Sequence, residues 1–310
     1  FWLTKHLNTN YNNFMKYIFS LFLVIIFFTE HFSPLTRTTN LLIKVVDNED
    51  AICYSACDTD PLITEPVPQT NLWQHLKENL SWNTYYKDKI VKQEIKRIKN
   101  HGSWYFNYLS KQASPYIHYV TIELEKRGLP LELALLPYIE SNYDPYAFSH
   151  GSAAGFWQMI PSTARQYGVA INSWYDGRRD IVFSTQAALD YLTYLHKRFD
   201  GDWLLAIAAY NAGEGTVSYV QRRNAAWGKG TDFWSLSLPR ETKQYVPRLL
   251  ALIHVIENSS SLGIRLPKLQ NNERFTIVNW PTQIDLTALA DIMDLQLEDI
   301  YKLNPGFNFW

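Results

Sequence analysis

The chain has 310 residues, enough for one large or two modest domains whose core needs no cross-links. Its 29 Lys and Arg against 30 Asp and Glu leave a formal charge of -1, which excludes the basic surplus a nucleic-acid binder needs to neutralise phosphates. With 46% hydrophobic and 19% charged residues it is no disordered chain, and 2 cysteines make neither a disulfide scaffold nor a four-ligand zinc site.

Residues 1–33 read as an address. Met15-Lys16 precedes an apolar run from Tyr17 to Phe28, the length of a signal-peptide core and short for a membrane span. Met15 is the expected start, with the polar, Asn-rich stretch before it a leader. No small-residue cleavage site stands out, so the segment is either a cleaved signal or an uncleaved membrane anchor. Cys53 and Cys57 would form a local disulfide or stay as two thiols; lipid attachment is disfavoured, because Tyr54 stands where leucine is wanted. Residues 34–70 end in DTDPLITEPVPQT, whose prolines mark a linker.

Residues 71–130 alternate apolar and charged side chains at helical spacing. Ile90, Val91, Ile95 and Ile98 fall on one stripe with lysines opposite, predicting a helix packed on a neighbour with a solvated outer face. Arg127-Gly128-Leu129-Pro130 ends one helix and opens the next, since glycine suits the position after a helix and proline its first turn. Further helices are predicted over 186–199, 203–211 and 241–258, and no strand-rich repeat occurs, so the body is mainly α.

A short helix over 131–141 has Leu133 and Leu136 on its apolar face, and Glu140 follows Leu136 by one turn. Desolvation and the negative helix end both raise such a carboxyl's pKa, as a general acid for glycosidic cleavage requires. The helix alone favours a helix-end glutamate that simply faces water. The next stretch, from Asn142 to Ala164, is dense in Gly, Ala and Ser and then carries Trp157-Gln158, offering close backbone approach, an amide and an apolar face for a sugar. Two more clusters follow: Ala209-Tyr210-Asn211-Ala212-Gly213 and Glu241-Thr242-Lys243-Gln244-Tyr245-Val246.

In this order and spacing the clusters resemble the lytic transglycosylases with a soluble-lytic-transglycosylase, goose-lysozyme-like domain. Glu140-Ser141 with Ser149, Gly155, Trp157-Gln158 and Pro161-Ser-Thr-Ala is the first signature, Ala209 to Gly213 the second, and Glu241-Thr-x-x-Tyr245-Val the third. The Ala153-Ala154-Gly155 loop and the stretches from Phe199 and Thr231 are similar to the membrane-bound murein transglycosylase D branch. Residues 131–262 are thus expected to be a lysozyme-like helical catalytic domain.

The resemblance implies a single-carboxylate mechanism. Glu140 would protonate the glycosidic oxygen between N-acetylmuramic acid and N-acetylglucosamine. It would then take a proton from the muramoyl 6-hydroxyl as that oxygen attacks the anomeric carbon, leaving a 1,6-anhydro end. Ser141, Ser149 and Gln158 would line the cleft, Tyr210 and Asn211 would stand opposite Glu140, and Tyr245 would approach from the third motif. Asp144 and Glu214 read as structural or surface, Glu241 as a helix opener, and Asp176 and Asp180 as turn and cap residues. Ser152 replaces a glycine frequent in relatives, and Phe156 a more usual aliphatic residue.

Residues 263–310 resemble the first part of a LysM-like glycan-binding repeat, with a strand from Phe275 and helices near Leu286 and Ile300; the closing strand is expected beyond Trp310. An appendage with no ligand fits as well. The expected partner is a peptidoglycan glycan strand, with no nucleic acid, no metal and no cofactor, for a monomer exported to the cell envelope. A silent murein-binding scaffold or a lysozyme- or chitinase-like hydrolase are the competing readings.

Overall fold

The computed structural model describes residues 39–43, 71–82, 85, 87–280 and 285–308. One unit, Asn40–Val278 with Ile284–Trp310, holds the helices and the site described below; of the other, Phe1–Thr39 with Asn279–Gln283, only Thr39, Asn279 and Trp280 are among the described residues. The apolar run at 17–28 and the two cysteines lie outside them. Among the described residues no helix is long and apolar enough to cross a membrane.

The architecture is mainly α. A strand β1 (Thr39–Ile43) precedes α1 (Leu72–Asn79), α2 (Lys89–Ala113), α3 (Ile117–Lys126), a 3-10 turn (Leu131–Leu135) and α4 (Leu136–Ser141). Then come α5 (Pro161–Gln166), α6 (Ile181–Arg198), α7 (Trp203–Ala212), α8 (Glu214–Ala226) and α9 (Arg240–Glu257). Strand β2 (Thr276–Trp280), paired with β1, and helices α10 (Leu286–Met293) and α11 (Leu297–Leu303) complete the order.

Helix α9 is the axis of the core. Beyond its polar first turn its sequence is mostly apolar, so Tyr245, Val246, Leu249, Leu250, Leu252, Ile253 and Ile256 are all buried. It packs along α2 and against α7 and α4. Alanines 206, 208 and 209 of α7 are buried, and their small side chains allow close helix approach. On α2 the anticipated stripe is present, with Val91 and Ile98 buried and Ile90 and Ile95 half-buried. Gly102, at φ 63, breaks that helix within its length, a kink the periodicity does not reveal.

The helix ends follow local chemistry. Gly128 adopts φ 62, its N–H reaches the Glu125 carbonyl at 3.0 Å, and Leu129 N–H reaches Leu124 at 3.0 Å, closing α3 with a Schellman motif. The helix anticipated over 131–141 is in fact a 3-10 turn followed by α4. Pro137 has no N–H to give and its ring would meet the carbonyl one turn back, so the preceding turn tightens. Asp180 and Asp202 cap α6 and α7 through pairs of backbone N–H bonds of 2.8–3.0 Å. Asp180 therefore starts α6 five residues before the predicted boundary.

The chain beyond α9 returns to the same core. Ile264, Leu269, Phe275 and Leu303 are buried with the core residues of the helices before them. Leu72 N–H donates to the Leu269 carbonyl at 2.8 Å, tying this return to the start of α1.

Candidate active site

Glu140 is the penultimate residue of α4, half-buried. Two consecutive residues after Ser141, Asn142 (φ 55) and Tyr143 (φ 62), are left-handed. For a bulky residue this is strained, and it persists because packing fixes Tyr143. Its ring stacks on Phe156 at 5.5 Å, Phe156 stacks on Tyr116 at 6.0 Å, and its hydroxyl donates to the Ala134 carbonyl at 2.7 Å. The turn sends the chain back past Glu140 as the Gly-Ala-Ser loop.

Three helices converge on the carboxylate. From α9, the buried Tyr245 hydroxyl donates to Glu140 Oε1. From α7, Tyr210 donates its hydroxyl to the Trp157 carbonyl at 2.8 Å, and its phenol feels the Glu140 charge. Burial is the largest influence on Glu140 and raises its pKa from 4.5 to about 7; the Tyr245 hydrogen bond opposes this, and the negative charge of Glu241 adds to it. Burial, then the Glu140 charge, push the Tyr245 phenol well above its ordinary value, so it remains a donor. A carboxyl poised near neutral pH beside a fixed donor can deliver a proton and later recover one.

The loop is held by its own backbone. Ser149 Oγ accepts the Ala153 N–H at 3.1 Å, and Gln158 Nε2 donates to the Gly155 and Ala147 carbonyls at 2.8 and 3.1 Å. Ser141 Oγ donates to the Phe156 carbonyl at 3.0 Å. These three polar side chains thus shape the loop that Glu140 faces. Asn211 accepts a hydrogen bond from Thr242 Oγ1 at 2.8 Å, which ties α7 to α9. Gly155 (φ 77) cannot be anything else: a Cβ there would lie 1.9 Å from the Arg178 carbonyl oxygen. Ser152 sits at φ 62, a left-handed backbone in which a glycine would be unstrained.

Trp157 corrects the sequence reading. It is fully buried and its indole N–H donates to Thr185 Oγ1 at 3.1 Å, so it presents no face to a sugar. The apolar neighbours Phe156 and Met159 were the available signal. Asp144 accepts the Tyr146 N–H at 2.8 Å in a turn, and Glu214, in the first turn of α8, bonds Tyr194. Sequence reasoning missed the reach of Glu241, exposed on α9, to the acid. It also missed the buried Arg178, whose guanidinium spans Asp176 and the loop carbonyls of Ser152 and Met159. Among the described residues no cluster of three or more His, Cys, Asp or Glu could hold a metal ion.

Comparison with known proteins names the class. Residues 119–232 match the family described as the Transglycosylase SLT domain. The chain is 42% identical over 243 residues to "Membrane-bound lytic murein transglycosylase D" of Escherichia coli (strain K12), covering 78% of this chain and 53% of that protein. It is 25% identical over 196 residues to "Membrane-bound lytic murein transglycosylase C" of Sodalis glossinidius, covering 55% of each. It is also 34% identical over 119 residues to "Peptidoglycan transglycosylase gp16" of Escherichia phage T7, covering 38% of this chain and 9% of that one. The chain spans about half the length of the first curated relatives it matches. The resemblance to lytic murein transglycosylases carried by the three motifs is thus shown.

Proposed function

We propose that this chain is a peptidoglycan lytic transglycosylase that cleaves the β-1,4 bond between N-acetylmuramic acid and N-acetylglucosamine. The observation that carries this reading is Glu140, raised to about 7 and hydrogen-bonded by Tyr245. Protonated, it gives its proton to the glycosidic oxygen, and the bond to the muramoyl anomeric carbon breaks. The substrate's own N-acetyl oxygen stabilises the positive centre. Glu140, now a carboxylate, accepts the proton of the muramoyl 6-hydroxyl as that oxygen bonds to the same carbon, closing the 1,6-anhydro ring. No water is consumed. Tyr245 and Tyr210 hold the acid and the loop, while Ser141, Ser149, Gln158 and Asn211 set the shape of the cleft that receives the glycan.

The substrate is a glycan strand of the cell envelope, to which the chain is exported. The 17–28 segment serves as signal or anchor, residues 263–310 as a glycan-binding LysM-like unit, and the protein works as a monomer without cofactor. A hydrolytic alternative has one specific observation behind it: the Glu241 charge acts on Glu140, which would suit a second carboxylate activating water.

Mass analysis of products released from murein sacculi separates the readings. Anhydromuramoyl ends are expected, and Glu140→Gln should lower their release by about 10²–10⁴-fold. Reducing ends, heavier by one water, would replace the transglycosylase with a hydrolase. Retention on sacculi without any release would leave a binding scaffold.

A further inference from the structure

We infer that residues 304–308 are a positioning element for the catalytic loop, acting through Asp176, Arg178 and Arg179; this rests on the reading of Glu140 as a glycan-cleaving acid. The segment lies against residues 172–179 through an isolated β-bridge. Asp176 N–H donates to the Gly306 carbonyl and Asn308 N–H to the Trp174 carbonyl, both at 2.8 Å, around an antiparallel bridge between Tyr175 and Phe307. The Asn308 amide donates to the Ser173 and Asn172 carbonyls at 3.0 and 3.3 Å, and its oxygen accepts from Arg179 Nη2, which also reaches the Gly306 carbonyl at 3.3 Å. Gly306 is required by closeness, because a Cβ would lie 2.6 Å from the Tyr175 ring.

The other side of the same stretch holds the loop. Asp176 takes the Arg178 guanidinium in a two-pronged grip, Nε to Oδ1 at 2.9 Å and Nη2 to Oδ2 at 2.7 Å. That grip aims Nη1 at the carbonyls of Ser152 (2.5 Å) and Met159 (3.3 Å), the two ends of the turn carrying Gly155, Trp157 and Gln158. Arg178 is 4% exposed, so water cannot replace these bonds if the fork is displaced. The turn in turn presents the Phe156 carbonyl to Ser141 and the Trp157 carbonyl to Tyr210, the neighbours of Glu140. A shift of residues 172–179 is therefore passed to the backbone that faces the acid, and residues 306–308 hold that stretch from behind.

The test uses the full chain with Asn308→Ala, Arg179→Ala and the double variant. Amide exchange is read at Gly155 and Gln158, which donate to the Ala147 and Gly155 carbonyls at 3.0 and 3.1 Å. In Asn308→Ala it should quicken by about tenfold while the amides of α9 keep their protection. On soluble glycan fragments kcat should fall by about tenfold at unchanged KM, with the double variant little worse than either single one. Asn308→Asp, which keeps an acceptor for Arg179, should recover part of the loss. Unchanged exchange at Gly155 and Gln158, a uniform rise that includes α9, or additive losses would each overturn the inference. Exchange needs no substrate: a wild-type chain that cleaves no glycan ends the transglycosylase reading, and the exchange result still decides whether the segment holds the loop.

Discussion

The phenol of Tyr245 donates a hydrogen bond to Oε1 of Glu140, joining residues 105 apart in sequence. One sits in the long helix α9 of the core and the other at the last turn of a six-residue helix, so the long element fixes the acid on the short one. The hydrogen bond favours the carboxylate and burial disfavours it; burial is the larger, and the carboxyl settles at about 7.

Removing the donor shifts the acid further. In Tyr245→Phe the influence lowering the Glu140 pKa is lost, so it rises beyond about 7. The alkaline limb of the pH–rate profile, where the acid loses its proton, should move to higher pH, and the maximal rate should fall by roughly tenfold as the carboxyl loses its orientation. A profile unmoved on its alkaline side would mean that another group titrates there.

Stability should carry the same signature. Because the folded-state pKa of Glu140 is raised from 4.5 to about 7, the folded state holds a proton over that range that the unfolded chain releases. Stability is then full below about pH 4.5 and falls as pH rises through about 7, by an amount on the order of 3 kcal/mol. Glu140→Gln cannot ionise, so its Tm should exceed that of the wild type at pH 8 and match it near pH 4. Thermal unfolding at both pH values decides, and an equal offset at both would assign the effect to packing.

Gly155→Ala should be far more damaging than its one methyl suggests. The Cβ would enter the Arg178 carbonyl at a φ of 77, so loop and support must separate. A loss of about 2 kcal/mol or more is expected in denaturant unfolding, together with loss of cleavage. Gly168→Ala, at φ 80 with nothing within 4 Å of the added carbon, is the control for backbone strain alone and should cost less.

Trp157→Phe separates a core role from a sugar-stacking one. The ring is enclosed and its N–H bonded to Thr185, so the variant should lose about 1–3 kcal/mol of stability with KM for glycan fragments unchanged. A several-fold rise in KM at unaltered stability would return Trp157 to the cleft.

Much of the fold was legible because its signals are local. Gly128 after a periodic run and the aspartate at 180 act within a few residues of themselves, and the structure finds each doing so. Glu132 shows the opposite case. Flanked by leucine residues like many core positions, it is fully buried, and its Oε1 accepts from the N–H and hydroxyl of Ser81 and the Trp82 N–H, half a hundred positions upstream. No periodicity could pair them, because the partners, two backbone N–H groups and one hydroxyl, lie on a distant loop. Trp157 was misplaced for a similar reason: an aromatic ring suits a core and a sugar equally, and only Thr185 tells which.

By itself the sequence determined that the body is helical, where α7 and α9 begin and end, and which glutamate follows an apolar turn within a family-like constellation. Those properties depend on dihedral preference, capping and periodicity, which act over a few residues. The tertiary structure alone decided that Tyr245 meets Glu140, that Glu241 acts on it, that Trp157 is enclosed, and that residues 306–308 brace the stretch beneath the loop. A carboxyl's acidity is set by everything that excludes water from it, and those groups come together only when α4, α7 and α9 pack.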